Sequence, residues 1–133
     1  MGGAATHPLD RVKRVPRTCI WELTRACNLR CVHCENSCGE KGGRELPLDR
    51  MLEVASDLAR LGCRTVDLTG GEPLLHPGWD ELAARVRDLG MRSTLITNGL
   101  LLDDGAIGRT IAAGVGLVAV SIDGLRATHD ATR

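Results

Sequence analysis

Strand-like runs and helical patterns alternate along this chain through four strands, and few sequence features restrict a fold as strongly. Arg17–Thr24, carrying Cys19, Ile20, Trp21 and Leu23, reads as a first strand, and a turn-prone segment through Asn36, Gly39, Gly42 and Gly43 follows it. From Pro47 the apolar residues Leu48, Met51, Leu52, Ala55, Leu58, Ala59 and Leu61 recur on one helix face, and Gly62 stands where a helix end favours a left-handed residue. Arg64–Thr69 predicts a second strand, ending at Gly70-Gly71. Trp79–Leu89 predicts a second helix, stopped by Gly90. A third strand, Arg92–Thr97, breaks at Asn98-Gly99. The helix expected near Asp103–Ala113 is diluted by Gly105 and Gly108. The fourth strand, Leu117–Ile122, is nearly all apolar, as a strand covered on both faces should be.

The repeat, roughly 25–30 residues, is that of a βα unit. The expected fold is therefore α/β: a parallel sheet with helices outside, curling toward a barrel. In such folds ligands collect at the C-terminal ends of the strands. Cys27, Gly70-Gly71-Glu72, Asn98 and Asp123 all follow strand ends, so four loops are expected at one mouth. Beyond the fourth strand only a polar tail to Arg133 remains, with no closing strand or capping helix in its pattern. The expectation is a partial barrel with an open edge, apparently truncated. Residues 1–16 read as a flexible lead-in, and 17–133 as one domain.

Composition excludes several functions. No apolar run reaches the roughly 18 residues that a membrane helix needs, and Met1–Pro16 has no secretory core, so a soluble, cytoplasmic protein without a membrane partner is expected. Basic and acidic side chains balance at 17 each and are spread out, and the aromatics are two Trp with no Phe or Tyr. Neither the charge footprint nor the stacking residues of a nucleic-acid binder are present. Arg60, Arg85, Arg87 and Asp88 read as solvated helix faces, and Trp79 as a side chain packing the second helix on the core.

Six cysteines without a secretion signal point to metal or redox chemistry rather than disulfides. Cys27, Cys31, Cys34 and Cys38 crowd into one segment, whereas Cys19 and Cys63 stand apart as small core residues. The spacing Cys27-x3-Cys31-x2-Cys34 suits three thiolates, each on one iron of a cubane, with the fourth iron open. A structural zinc site, completed by Cys38, Cys63 or His33, is the competing reading, and unligated thiols are a third. Cys38 fits either a ligand or a free thiol.

The cysteine motif, then Thr69-Gly70-Gly71-Glu72-Pro73, Thr97-Asn98-Gly99 and Ser121-Ile122-Asp123-Gly124, each after its own strand, resembles the radical S-adenosylmethionine (SAM) superfamily. The resemblance covers about Arg17 to Arg133, the first four βα units of that family's partial TIM-like (β/α)6 barrel. It implies that Cys27, Cys31 and Cys34 ligate a [4Fe–4S] cluster whose open iron is chelated by SAM. It implies that the backbone of His33, at a position often aromatic, touches the adenine, and that Gly70, Gly71 and Glu72 meet the amino group of SAM. Ser121 and Asp123 are implied at the carboxylate or ribose, with Asn98 beside them. No catalytic side chain is implied beyond the cluster ligands. The implied reaction is reductive cleavage of SAM to a 5′-deoxyadenosyl radical that abstracts hydrogen from a substrate. Trp21-Glu22-Leu23-Thr24 and His129-Asp130 resemble the members that modify ribosomal peptides or sulfatases, implying a peptide or protein substrate and an electron donor such as a flavodoxin or ferredoxin. The auxiliary-cluster domain usual in those members has no counterpart in these residues. A non-catalytic zinc- or cluster-binding module, an inactive truncated relative and a plain α/β interaction module stand as alternatives.

Overall fold

A computed structural model describes residues 15–39 and 45–133 of the chain. Four parallel strands lie in the order β1-β2-β3-β4: β1 (Thr18–Thr24), β2 (Thr65–Gly70), β3 (Arg92–Thr97) and β4 (Leu117–Val120). The connections are α1 (Leu48–Leu61), a 3₁₀ turn (Pro73–Leu75) leading into α2 (Trp79–Asp88), and α3 (Asp104–Ala113). α4 (Arg126–Thr132) follows β4. The α/β alternation expected from the sequence is the observed one. The flexible lead-in expected at 1–16 falls almost wholly outside the described residues.

Pairing register explains which side chains meet. Ile20 lies beside Asp67, Asp67 beside Thr94, and Thr94 beside Leu117. Residues one step along, Val66, Leu68, Ser93 and Leu95, point to the opposite face and are buried. That face carries the core: Met51 and Ala55 of α1 and Trp79, Leu82, Ala83 and Val86 of α2 pack onto it. Cys63 is buried in this core and Cys19 packs against it, as small core residues do. Each large apolar side chain buried here contributes about 1.5–3 kcal/mol.

Helix ends follow local chemistry. Gly62 (φ 92°) and Gly114 (φ 71°) close α1 and α3 in the left-handed region, each with an N–H returned to the last turn. Asp103 caps α3, its carboxylate accepting from the Ala106 N–H at 2.8 Å. A cap of this kind contributes roughly 1 kcal/mol and offsets the glycines that dilute the helix.

Two expectations are corrected. β4 is shorter than Leu117–Ile122, because its ladder stops where β3 stops, at Thr97 opposite Val120. It is also not covered on both faces: Leu117 is 59% and Val120 45% exposed, and among the described residues β4 pairs with β3 alone. Apolarity records what a strand could bury, not what lies on it. The tail after β4, expected to hold no closing strand or capping helix, forms α4. It has no buried residue, hence no periodic signal; Arg126–Asp130 pairing and the Val32 N–H to Thr132 O bond (3.0 Å) hold it instead. No helix among the described residues is long and apolar enough to cross a membrane.

The face assignment predicts unequal costs. Leu95→Ala should lose about 2–5 kcal/mol of unfolding free energy in urea titration, whereas Ile20→Ala, 72% exposed, should change it by less than about 0.5 kcal/mol. Equal losses would place the core on the wrong face of the sheet.

Candidate metal and cofactor site

The chain leaves β1 at Thr24 and forms a loop whose two ends are pinned to each other. The Cys27 N–H donates to Gly39 O (2.8 Å), the Gly39 N–H donates to Arg25 O (3.0 Å), and Ala26 and Gly39 form a parallel bridge. Two turns shape the interior: the Cys34 N–H meets Cys31 O, and the Ser37 N–H meets Cys34 O, both at 3.2 Å. Arg30 reaches back to Cys27 O at 3.0 Å, and at Gly39 a side chain would strike its guanidinium at 2.8 Å. Sequence spacing alone put the cysteines close together. Backbone closure makes the loop a definite shape.

N–H groups face the sulfurs. Leu29 N lies 3.4 Å and Asn98 Nδ2 3.9 Å from Cys27 Sγ, Cys38 N lies 3.4 Å from Cys34 Sγ, and Arg133 Nη1 lies 3.8 Å from Cys31 Sγ. Such donors suit sulfur that carries negative charge, as cluster thiolates do. Among the described residues no three His, Cys, Asp or Glu side chains converge on a point that would hold a single metal ion. A cubane makes a different demand, since its thiolates bind separate irons around a larger body. Cys27, Cys31 and Cys34 meet that demand by lining one cleft of about 260 Å³, which is also lined by His33, Gly70, Gly71, Asn98 and Ser121. The donor set and its setting fit a cluster of that kind.

The facing wall comes from β2. The Gly71 N–H donates to Thr24 O (2.7 Å) and the Glu72 N–H to Ala26 O (2.8 Å), so this loop lies directly on the segment that leads into Cys27. A Cβ at Gly70 would stand 2.4 Å from Thr24 O, and one at Gly71 2.2 Å from Ala26 O. Gly70 also has φ 136°, which L side chains rarely adopt. Close approach to a ligand was the reason expected for these glycines; backbone-to-backbone contact within the chain already requires them.

Glu72 departs further from expectation. It is 0% exposed and does not line the cleft. Its Oε1 accepts from Thr97 Oγ1 (2.8 Å) and Leu74 N (3.1 Å), and its Oε2 accepts from Asn98 N (2.9 Å). The carboxylate ties β2's end to β3's end rather than facing an ammonium. Asn98 continues the chain of contacts: its Nδ2 donates to Asn28 Oδ1 at 2.7 Å, and its Oδ1 accepts from Leu100 N at 3.0 Å.

From β4, Ser121 follows the last ladder bond (its N–H to Thr97 O, 2.9 Å) and faces the cleft. Asp123 does not line it. Its carboxylate is held by Arg133, Nε to Oδ2 at 2.5 Å and Nη2 to Oδ1 at 3.1 Å, with His33 Nε2 at 3.5 Å. The Arg133 hydrogen bond first, then the nearby Arg133, His33 and His129 charges, hold Asp123 below the usual carboxylate range. Hydrogen bonding to Asp123 in turn raises Arg133. Arg133 thus brings a cation to the cleft beside Cys31. Sequence reading passed over it, because it sits in a tail without hydrophobic period; its only signal was position, shortly after His129-Asp130.

The profile described as "Radical SAM superfamily" matches residues 21–133. An AdoMet-dependent heme synthase from Methanosarcina barkeri is 43% identical over 117 residues, covering 86% of this chain and 34% of that protein. A PqqA peptide cyclase from Rhodopseudomonas palustris is 36% identical over 115 residues, covering 86% of this chain and 30% of that protein. The chain therefore spans about a third of the length of these relatives. Among solved structures, Streptococcus suis SuiB bound to S-adenosylmethionine shares the fold with a TM-score of 0.74 at 18% identity, over 86% of this chain and 27% of that one.

The Glu72 contacts predict that Glu72→Ala leaves three donors, two of them buried, without their acceptor. The expected loss is about 2–4 kcal/mol in urea unfolding, with Glu72→Gln retaining part of it. Unchanged stability in Glu72→Ala would mean that the tether between β2 and β3 carries no weight.

Proposed function

The chain belongs to the radical SAM superfamily, and on that premise we propose that its cleft holds a [4Fe–4S] cluster on Cys27, Cys31 and Cys34 with SAM on the iron they leave free. The observation that carries this reading is the convergence, at the C-terminal ends of four parallel strands, of the thiols of Cys27, Cys31 and Cys34, with Cys38 beside them, and of Gly70, Gly71, Ser121 and Arg133 on one cleft. When bound, the cluster and SAM supply reductive cleavage to methionine and a 5′-deoxyadenosyl radical that takes hydrogen from a substrate.

The residues divide by task. Ser121 Oγ and the Arg133 guanidinium would take the carboxylate of SAM, a charge-assisted contact. The backbone of Gly70 and Gly71 would meet its amino group, Asn98 its ribose, and the backbone of His33 its adenine. Glu72 and Asp123 act at one remove. Glu72 fixes Thr97 and Asn98, and Asp123 aims Arg133. Residues 17–133 then form the N-terminal portion of the radical SAM core domain, with the remaining walls supplied by chain of the kind that the longer relatives possess.

For substrate we propose a peptide, supported by the similarity to a peptide cyclase, with electrons from a flavodoxin- or ferredoxin-type donor. A second reading, a tetrapyrrole substrate, is favoured by the 43% identity to a heme synthase. Stimulation of SAM cleavage by a precursor peptide or by an iron porphyrin separates the two.

The test is anaerobic reconstitution with iron and sulfide, then dithionite and SAM, with 5′-deoxyadenosine measured. The protein should bind iron and sulfide in equal amounts and form deoxyadenosine, and Cys31→Ala should bring both to background. Tight zinc binding with no iron–sulfide uptake would contradict the proposal and favour the structural zinc module.

A further inference from the structure

Cys38 is the one cysteine of the loop to which the cluster reading gives no task. The turn at Cys34–Ser37, with Ser37 at φ 45°, folds the chain back so that the Cys38 N–H points at Cys34 Sγ (3.4 Å). Both side chains line the same cleft. The other loop sulfurs face elsewhere, Cys27 toward Leu29 N and Asn98, Cys31 toward Arg133. Cys34 is half-buried and Cys38 is 9% exposed, and both open onto the cleft. A solvent-reachable thiol poised next to a second cysteine is the arrangement of an attacked cysteine and its resolving partner.

We propose that Cys34 and Cys38 form a reversible disulfide when the loop is without its cluster, a modification site that shields a cluster ligand from irreversible oxidation by peroxide. The Cys34 thiol attacks hydrogen peroxide, the O–O bond breaks, and water leaves, giving a sulfenic acid. The Cys38 sulfur then attacks the Cys34 sulfur; the S–S bond forms, the S–O bond breaks, and a second water leaves. In sum, two thiols give up two electrons and two protons, and one peroxide becomes two waters. A dithiol reductant reverses the bond by exchange. Without Cys38 the sulfenic acid goes on to sulfinic acid, which dithiols do not repair. The protective consequence rests on Cys34 being a cluster ligand; the disulfide itself does not.

The experiment treats the cluster-free full chain with hydrogen peroxide, alkylates the remaining thiols, and maps peptides by mass spectrometry. The expected product has lost two hydrogens, with Cys34 and Cys38 protected together and Cys31 alkylated. Cys38→Ser should instead accumulate sulfinic acid at Cys34. After dithiothreitol, wild type should regain the iron–sulfide loading of untreated protein, and Cys38→Ser should lose most of it. A Cys31→Ser variant should still form the bond. Alkylation of Cys38 after oxidation, or a Cys31–Cys34 bond in its place, would overturn the proposal. So would a Cys38 shielded only in the cluster-loaded protein, which would make it an iron ligand. Loading of untreated wild type reports separately on the cluster reading, so failure of one is not mistaken for failure of the other.

Discussion

The site depends on two backbone hydrogen bonds, from Gly71 to Thr24 and from Glu72 to Ala26. They lay the end of β2 on the segment that connects β1 to the cysteine loop, at a separation that leaves no space for a Cβ at either glycine. The cysteine loop and the β2 and β3 sides of the cleft are joined through that contact. The cysteine loop begins one residue beyond it, and Glu72, fixed by it, reaches across to Thr97 and Asn98 at the end of β3. Asn98 returns to the cysteine loop through Asn28, closing a circuit of polar contacts through β1, β2 and β3.

A buried carboxylate is an expensive choice for such a tether, since a charge removed from water must be repaid in hydrogen bonds. Glu72 receives three, from Thr97 Oγ1, from the Leu74 N–H in the 3₁₀ turn and from the Asn98 N–H just past β3. An apolar side chain would leave those donors unsatisfied. The same logic operates at β4, where the Asp123–Arg133 pair anchors the end of α4 and Thr132 O accepts from Val32 in the cysteine loop. Both ends of the row of strands thus reach the loop that carries the thiols. Donors then face each of the three cysteines proposed to hold the cluster, Leu29 and Asn98 at Cys27, Arg133 at Cys31, and Cys38 at Cys34. Donors to sulfur bear on the potential of anything the sulfurs hold.

Much of this was legible before any coordinates. Period-2 and helical patterns placed β1–β3 and α1–α3 within a residue or so at each end, because each buries a face and so must alternate. The strand-end motifs located the cleft, as the topology of parallel sheets requires. Three things were not legible, for distinct reasons. α4 buries nothing, so it has no period to read. Arg133 gains its place only from that helix. Glu72 was expected at the amino group of a ligand, because a motif records which residues occur together and not which way a carboxylate turns. β4 shows the converse: its apolar run was read as double burial, while Leu117 and Val120 stand exposed at an edge.

The central claim is that three thiolates leave one iron of a cubane open to SAM in this cleft. It is tested most directly by electron paramagnetic resonance of the reconstituted, dithionite-reduced protein, recorded with and without SAM. Direct coordination predicts that SAM shifts the g-values of the reduced cluster, and that isotopically labelled SAM amino nitrogen gives a resolved hyperfine coupling. A cluster spectrum that SAM leaves unchanged, at concentrations where SAM is bound, would contradict it.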